Sequence, residues 1–158
     1  MLKIIGICLL LFTSIFAVSE LSRVEKTRVC LLKEIHGFLK HVRRQVSCYL
    51  LPLGEIASSY SSVRLESCGF LKKIRLGENP AQALVGKYRL SEKATVIISG
   101  VFSSFGQAYA DDEISALDEA ILGLSSVLAD EEAECKKRVK LYSVLCTAVG
   151  MGTLILVL

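Results

Sequence analysis

Apolar residues gather at the two ends of the chain, and between the ends they recur with helical spacing. Residues 4–19 and 141–158 contain no charged side chain. A helix needs roughly 20 apolar residues, within a range of about 17 to 25, to cross the hydrocarbon core of a bilayer. The pattern therefore predicts an N-terminal transmembrane helix over residues 1–19, a middle domain over 20–140 and a C-terminal transmembrane helix over 141–158.

The first part of the middle domain has the pattern of an amphipathic helix. Its apolar residues follow one another in steps of three and four, as on one helix face: Leu31, Ile35, Phe38, Val42, Val46, Tyr49 and Leu53. This helix is expected to begin in the N-terminal apolar run and to reach about Leu51. Pro52 marks a joint, because the residue before a proline avoids helical geometry, and "PLGEIASSY" then predicts a short second helix.

Three further helices are predicted before the last one. They cover Val63 to Arg75, Ala81 to Arg89 and Ser91 to Phe105. "LGENP" separates the first two with residues that stop and restart helices. Ser91 is expected to cap the third, and Gly106 to end it. Its apolar residues indicate a buried position: Val96, Ile97, Val101, Phe102 and Phe105.

The last predicted helix runs from about Asp112 into the C-terminal apolar run. Its apolar residues form a seam with steps of three and four: Ile114, Leu117, Ile121, Leu124 and Leu128. The acidic start, "ADDE", complements the positive end of the helix dipole. Glu134 and Arg138 are four residues apart with the acid first, a stabilising order. We therefore expect one continuous helix of about 45 residues, about 70 Å long at 1.5 Å per residue.

Positive charge flanks both apolar runs on the side of the middle domain. The flanking residues are Arg23, Lys26, Arg28 and Lys33 after the first run, and Lys136, Lys137, Arg138 and Lys140 before the second. Basic residues near membrane segments stay in the cytoplasm. The expected topology is thus a two-pass cell-membrane protein with a cytoplasmic middle domain, and the second basic group marks its membrane boundary.

A second topology stays open at this point. "MLK", the apolar run and "FAVSE" also fit a secretory signal peptide. The alternative is an exported helical domain with a cleaved signal peptide and a C-terminal membrane tether, in which the six cysteines could form disulfides. In the cytoplasmic topology the cysteines are expected to be small apolar core residues.

Charge is divided between the two halves of the middle domain. Residues 20–90 contain 13 basic and 6 acidic residues, a net charge of +7, and residues 91–135 contain 1 basic and 10 acidic residues, a net charge of −9. The halves could neutralise each other in the fold, or one face could dock a charged partner. The docking candidates are Lys33, Lys40, Arg43, Arg44, Lys72, Lys73 and Arg75 on the basic side, and Asp111, Asp112, Glu113, Asp118 and Glu119 on the acidic side.

No pattern in the chain indicates catalysis, a cofactor or a metal site. His36 and His41 are five residues apart, which places them on different faces of a helix, and we expect them to be solvated. Cys48 lies about 10 Å along the helix from His41, too far for activation as a nucleophile. The sequence therefore predicts a protein that is not an enzyme.

The expected ligands are membrane components rather than nucleic acid. The basic segments lack interleaved aromatic residues, so no nucleic-acid partner is expected, and "KKRVK" fits anionic lipid headgroups. Ala148 and Gly152 form a small-xxx-small pair that would let another membrane helix approach closely.

The order of these features resembles a known family. A basic amphipathic helix follows an apolar run, and a proline joint comes about fifty residues in, here "CYLLPLGEI" with Tyr49 and Pro52. Phe105 and Gly106 end a buried helix, and an acidic patch then opens a long seam helix that enters a C-terminal apolar segment. Over essentially the whole chain, this layout resembles the stage III sporulation protein AB family of endospore-forming bacteria. The chain departs from the family pattern after "FG", where it reads "QAYADDE".

The resemblance implies a fold and a role. The family looks like the helical cytoplasmic domain of the inner-membrane platform proteins of type II secretion and type IV pilus systems. It implies an all-helical bundle without catalysis, in a channel-like complex that joins mother cell and forespore. It also implies a stage III sporulation protein AA-like ATPase partner, other membrane components of the same complex, and a position on the mother-cell side of the outer forespore membrane.

Overall fold

The computed structural model describes residues 2–49, 51–84, 90–106 and 109–157, without the side chains of 2–11, 14, 82–83, 110 and 153–157. All regular secondary structure in this part of the chain is helical, which confirms the all-α prediction. The helices are α1 (Leu2–Tyr49), α2 (Leu53–Ser59), α3 (Val63–Ser67), α4 (Phe70–Arg75), α5 (Ala81–Leu84), α6 (Glu92–Ser104) and α7 (Ala110–Val157).

The chain forms two compact units. One comprises Arg28–Asp130, and the other comprises Met1–Thr27 together with Glu131–Leu158. The first, called the helical domain below, contains α2 to α6 and the inner parts of α1 and α7. The second, called the terminal unit, contains the outer parts of those two long helices.

The core of the helical domain is built from every one of its helices. α1 contributes more buried residues than any other helix, and α7 covers the core with the predicted seam, of which Leu117 and Leu124 are fully enclosed. Phe38 lies at the centre, with its ring 5.1 Å from that of Tyr60, 5.9 Å from that of Phe70 and 6.4 Å from that of Phe102. Burial of such large apolar surfaces supplies the main stabilisation of a domain of this size.

Several predicted elements are confirmed. α1 continues from the N-terminal run past Val46, Pro52 occupies the N-cap position of α2, and α7 is one helix of 48 residues. The acidic residues of "ADDE" lie in the first turn of α7. Gly106 follows α6 with φ of 83°, a left-handed conformation that glycine adopts without steric cost.

Other details were wrong. The predicted helix Val63 to Arg75 is two helices, because Gly69 adopts φ of 80° between them. Tyr49 is 70% exposed, since α1 ends there instead of extending the buried face. Val96 is 64% exposed because it points away from the core that Ile98 enters. Ser91 is at the N-cap of α6, as predicted, and its hydroxyl makes no capping hydrogen bond.

The terminal unit contains both predicted membrane segments, which lie partly outside the described residues, as does the end of the predicted helix Ala81 to Arg89. Bulky apolar side chains on α1 and α7 are exposed here, including Phe12, Phe16, Leu141 and Val144. Among the described residues, no helix combines the length and the apolar character that a membrane crossing requires.

Candidate docking groove and charged faces

The helical domain carries a groove between α6 and α7. Two adjoining cavities, of about 260 and 430 Å³, share Val101, Ser104 and Ala116. The floor is formed by small residues on both helices, including Gly100, Ala120 and Gly123. We call this surface the α6–α7 groove.

The groove exists because small side chains let the two helices approach. A Cβ atom on Gly123 would lie 3.3 Å from Cδ1 of Ile97. The absence of a side chain at Gly123 therefore lets Ile97 of α6 pack closely against α7. A Cβ on Gly100 would meet no atom within 4 Å, so the space above Gly100 is open.

One rim of the groove is acidic. Asp112, Glu113 and Glu119 line it from α7. Glu113 accepts a hydrogen bond of 2.5 Å from the backbone N–H of Gly106 and so fixes the turn before the helix. Asp112 and Glu119 are exposed, and neither forms an ion pair with the described residues. Asp111 is also exposed, in the first turn of α7.

Asp118 lies on another face of α7 and is used within the fold. Arg43 of α1 donates from Nε and Nη2 to its two carboxylate oxygens, each at 3.0 Å. This fork-shaped hydrogen bonding raises the pKa of Arg43, and the Asp118 charge adds to the shift. The two predicted docking residues therefore neutralise each other between the basic and acidic halves.

The outward face of α1 is basic. Lys33, Lys40 and Arg44 are exposed there, and Gly37 lies among them at a spacing of three and four residues. Arg44 Nη2 is 3.5 Å from Nδ1 of His41. We call this set the α1 ridge. A Cβ on Gly37 would be 3.6 Å from the Tyr60 hydroxyl, an ordinary contact, so the fold itself does not require a glycine at this position.

The edge of the α1 ridge is tied to α3. Arg64 Nη1 donates to Glu34 Oε1 at 2.7 Å, and the Ser62 hydroxyl donates to the same carboxylate. Ser62 also caps α3 by accepting from the N–H of Leu65 at 3.2 Å, as N-cap serines commonly do. The Glu34 hydrogen bond raises the pKa of Arg64.

The basic residues of α4 are partly engaged. Lys73 pairs with Glu78 at 3.3 Å, and Arg75 donates to the carbonyl of Ala57 at 3.1 Å. Lys72 is exposed, and next to the end of α4 Leu76 is 64% exposed.

The histidines are half-buried, so the prediction that they are solvated was wrong. Nε2 of each ring is enclosed and has no hydrogen-bond partner within the described chain. Burial lowers the pKa of His36, and the Lys40 cation lowers it further, while a hydrogen bond with the Ile121 backbone opposes the shift. Burial lowers the pKa of His41, and the Arg44 cation adds to the effect. Helical periodicity alone did not show that Tyr60 would cover His41, with ring centroids 5.1 Å apart.

The predicted membrane-boundary residues lie in the terminal unit. Arg138 bridges the two long helices, because it donates to Glu25 of α1 at 2.9 Å and to Glu134 of α7 at 2.8 Å. Lys136, Lys137 and Lys140 are exposed.

The small-xxx-small pair is open on its outer side. Ala148 and Gly152 are both exposed. A Cβ on Gly152 would meet no atom within 4 Å.

The cysteines and acids form no reactive centre in the described chain. Cys135 is buried, Cys30, Cys68 and Cys146 are half-buried, and all are free thiols. Cys48 is exposed, so its prediction as a core residue was wrong. No group of three or more His, Cys, Asp or Glu among the described residues could hold a metal ion.

The chain matches a known protein family. The family model described as stage III sporulation protein AB matches residues 3–158. No curated protein and no solved structure matches the chain.

Proposed function

The chain belongs to the stage III sporulation protein AB family, and from this premise we propose that it is a membrane-anchored scaffold in a sporulation-specific, secretion-like channel complex. In this role it has no catalytic activity. Its helical domain is cytoplasmic, on the mother-cell side of the outer forespore membrane, and docks a stage III sporulation protein AA-like ATPase.

The observation that carries the proposal is the exposed apolar surface of the terminal unit. Large apolar side chains stand outward on α1 and again on α7, at Phe12, Ile15, Phe16, Leu141, Val144, Leu145, Val149 and Met151. A large exposed apolar area, which these side chains provide together, is a mark of membrane or protein contact. The uncharged runs 4–19 and 141–158 continue the same surface in sequence.

Polar contacts of the terminal unit sit at one end of that surface. The Glu25–Arg138–Glu134 bridge and the exposed cations Lys136, Lys137 and Lys140 lie next to the uncharged run. Juxtamembrane Lys and Arg each gain about 1 kcal/mol from anionic headgroups. We propose that this group binds the cytoplasmic lipid surface, and that Ala148 and Gly152 pack on another membrane component of the complex.

The surface proposed for the ATPase is the α4 patch, defined as Lys72, Lys73, Arg75 and Leu76. Lys73 and Arg75 are held in place by Glu78 and the Ala57 carbonyl, so their positions are fixed before a partner arrives. Lys72 and Leu76 are exposed beside them. An apolar centre with a charged rim is the usual composition of a protein-binding patch.

A pull-down with the purified ATPase of the same organism tests the docking. The double variant Lys72→Glu/Leu76→Asp should lose the complex, whereas Lys93→Glu, an exposed cation of α6, should retain it. ATPase capture by the double variant at the wild-type level would show that the α4 patch is not the docking surface.

A further inference from the structure

Within the helical domain, two glycines in the interiors of described helices are not explained by the fold. Gly37 lies in the middle of α1 and Gly100 in α6. A glycine in a helix interior costs about 1 kcal/mol relative to alanine. An alanine Cβ would make only an ordinary 3.6 Å contact at position 37 and no contact at position 100. Close approach by something outside the chain would account for both glycines.

The two glycines lie on surfaces of opposite charge. Gly37 is surrounded by the cations of the α1 ridge, Lys33, Lys40 and Arg44. Gly100 lies in the α6–α7 groove, whose rim carries Asp112 and Glu119, two exposed carboxylates that form no ion pair with a described residue. Both surfaces belong to the helical domain, and the cations of the one and the two carboxylates of the other are exposed.

The spacing on the two surfaces also agrees. On α1 the order is Lys33, Gly37, Lys40, and on α7 it is Asp112, Ala116, Glu119. In each case a small residue stands between two like charges that are seven residues apart, which is about 10.5 Å along a helix. A helix with the first pattern can lie over the second with its small residue on the groove floor and its cations on the acidic rim.

We propose that the α1 ridge of one copy of this protein binds in the α6–α7 groove of a second copy. The contact is heterologous, because each copy offers a ridge to one neighbour and a groove to another. Such contacts generate a ring when the rotation closes and a filament when it does not. The apolar stems of the lysines cover the groove floor while their ammonium groups reach Asp112 and Glu119.

The first test is site-directed cross-linking in detergent micelles. Two full-length, differently tagged proteins without native cysteines carry Lys40→Cys and Ser104→Cys respectively, and a short bismaleimide is added to the mixture. We expect a mixed dimer. Ser125→Cys on another exposed face of α7 is the control partner for Lys40→Cys. An equal yield with Ser125→Cys, or no mixed dimer with Ser104→Cys, would overturn the proposal.

Charge exchange tests the register. For this test the ridge protein carries its cysteine as Arg44→Cys instead of Lys40→Cys, since Arg44 is exposed on the same ridge. Lys40→Glu in that protein, or Glu119→Lys in the groove protein, should each lower the yield of mixed dimer roughly fivefold, as expected for loss of one solvent-exposed charge pair. The two changes together should restore the yield. If the double exchange stays as low as the single changes, these two side chains do not meet.

Filling the groove separates a groove contact from general charge attraction. Gly100→Leu should abolish the mixed dimer, because the new side chain occupies the open floor. Gly54→Leu in α2 is the matched control, since a Cβ there also meets no atom within 4 Å, and it should leave the yield unchanged. Circular dichroism of both variants verifies the fold. A folded Gly100→Leu variant with a wild-type yield would refute binding in the groove.

Discussion

Phe38 lies at the centre of the core of the helical domain, and its replacement by alanine is predicted to cause a large loss in the free energy of unfolding. The side chain is fully buried. Its ring contacts the rings of Tyr60, Phe70 and Phe102, which belong to different segments of the chain. The segments around the site are fixed by their own buried residues, so they cannot collapse into the space that Phe38→Ala leaves.

The expected loss follows from that rigidity. Phe→Ala substitutions in cores cost about 3–5 kcal/mol, and the cost is larger where the cavity stays open. Aromatic contacts add about 0.5–1.5 kcal/mol each beyond the area buried. We therefore expect a loss of about 4–5 kcal/mol, about a third or more of the total stability of about 5–15 kcal/mol that is typical of a domain.

Chemical denaturation followed by tyrosine fluorescence and circular dichroism measures this loss, since the chain has no tryptophan. The matched control is Tyr49→Ala on the same helix, where the ring is 70% exposed and the change should cost below about 0.5 kcal/mol. A Phe38→Ala loss no larger than that of Tyr49→Ala would refute the central position of this ring.

Three further predictions concern the same domain. Burial lowers the pKa of His36 and of His41, so these side chains bind protons more tightly in the unfolded chain than in the folded one. Their contribution to stability is therefore fully present above about pH 6.5 and is lost as the pH falls below it. The denaturation midpoint of the double variant His36→Gln/His41→Gln should depend less on pH in this range than that of the wild type. Gly123→Leu should cost about 1–3 kcal/mol, because a Cβ already lies 3.3 Å from an α6 side chain, and a wild-type thermal midpoint would contradict that packing. Asp118→Asn should shift the midpoint far less than either core change, since the side chains of the Arg43 pair are 44% and 46% exposed.

Much of the fold could be predicted from periodicity. The steps of three and four in α1 and α7 identified Ile35, Phe38, Leu117 and Leu124 as core residues because a helix buries one continuous stripe. The short helices were harder to place, since five or six residues give no reliable period. The break at Gly69 depends on a left-handed backbone conformation. A glycine permits this conformation, but its presence in the sequence does not predict it.

The candidate site was only partly visible in the sequence. Charge counts indicated a basic and an acidic half, but not that Arg43 and Asp118 would pair while Asp112 and Glu119 have no ion-pair partner in the described part of the chain. That division depends on which α7 residues face α1 and which face α6, a matter of tertiary packing. The groove at Gly100 was missed. The signal that the sequence does contain is a glycine in the interior of a predicted helix.

The α1 ridge and the α4 patch are proposed to bind different partners. The ridge and groove are proposed to join copies of the chain, and the α4 patch to bind the ATPase. Because the two surfaces share no residue, variants of one should leave the other contact intact. Measuring both contacts for each variant therefore tells whether the surfaces act independently.

The central proposal is that the terminal unit anchors the protein in the membrane and that the helical domain lies in the cytoplasm. Cys48 tests it directly, because it is the exposed thiol of the helical domain in the described chain. A variant that retains only Cys48 is treated with a membrane-impermeant maleimide in intact sporulating cells and again after permeabilisation. The account predicts labelling only after permeabilisation; labelling of Cys48 in intact cells would contradict it.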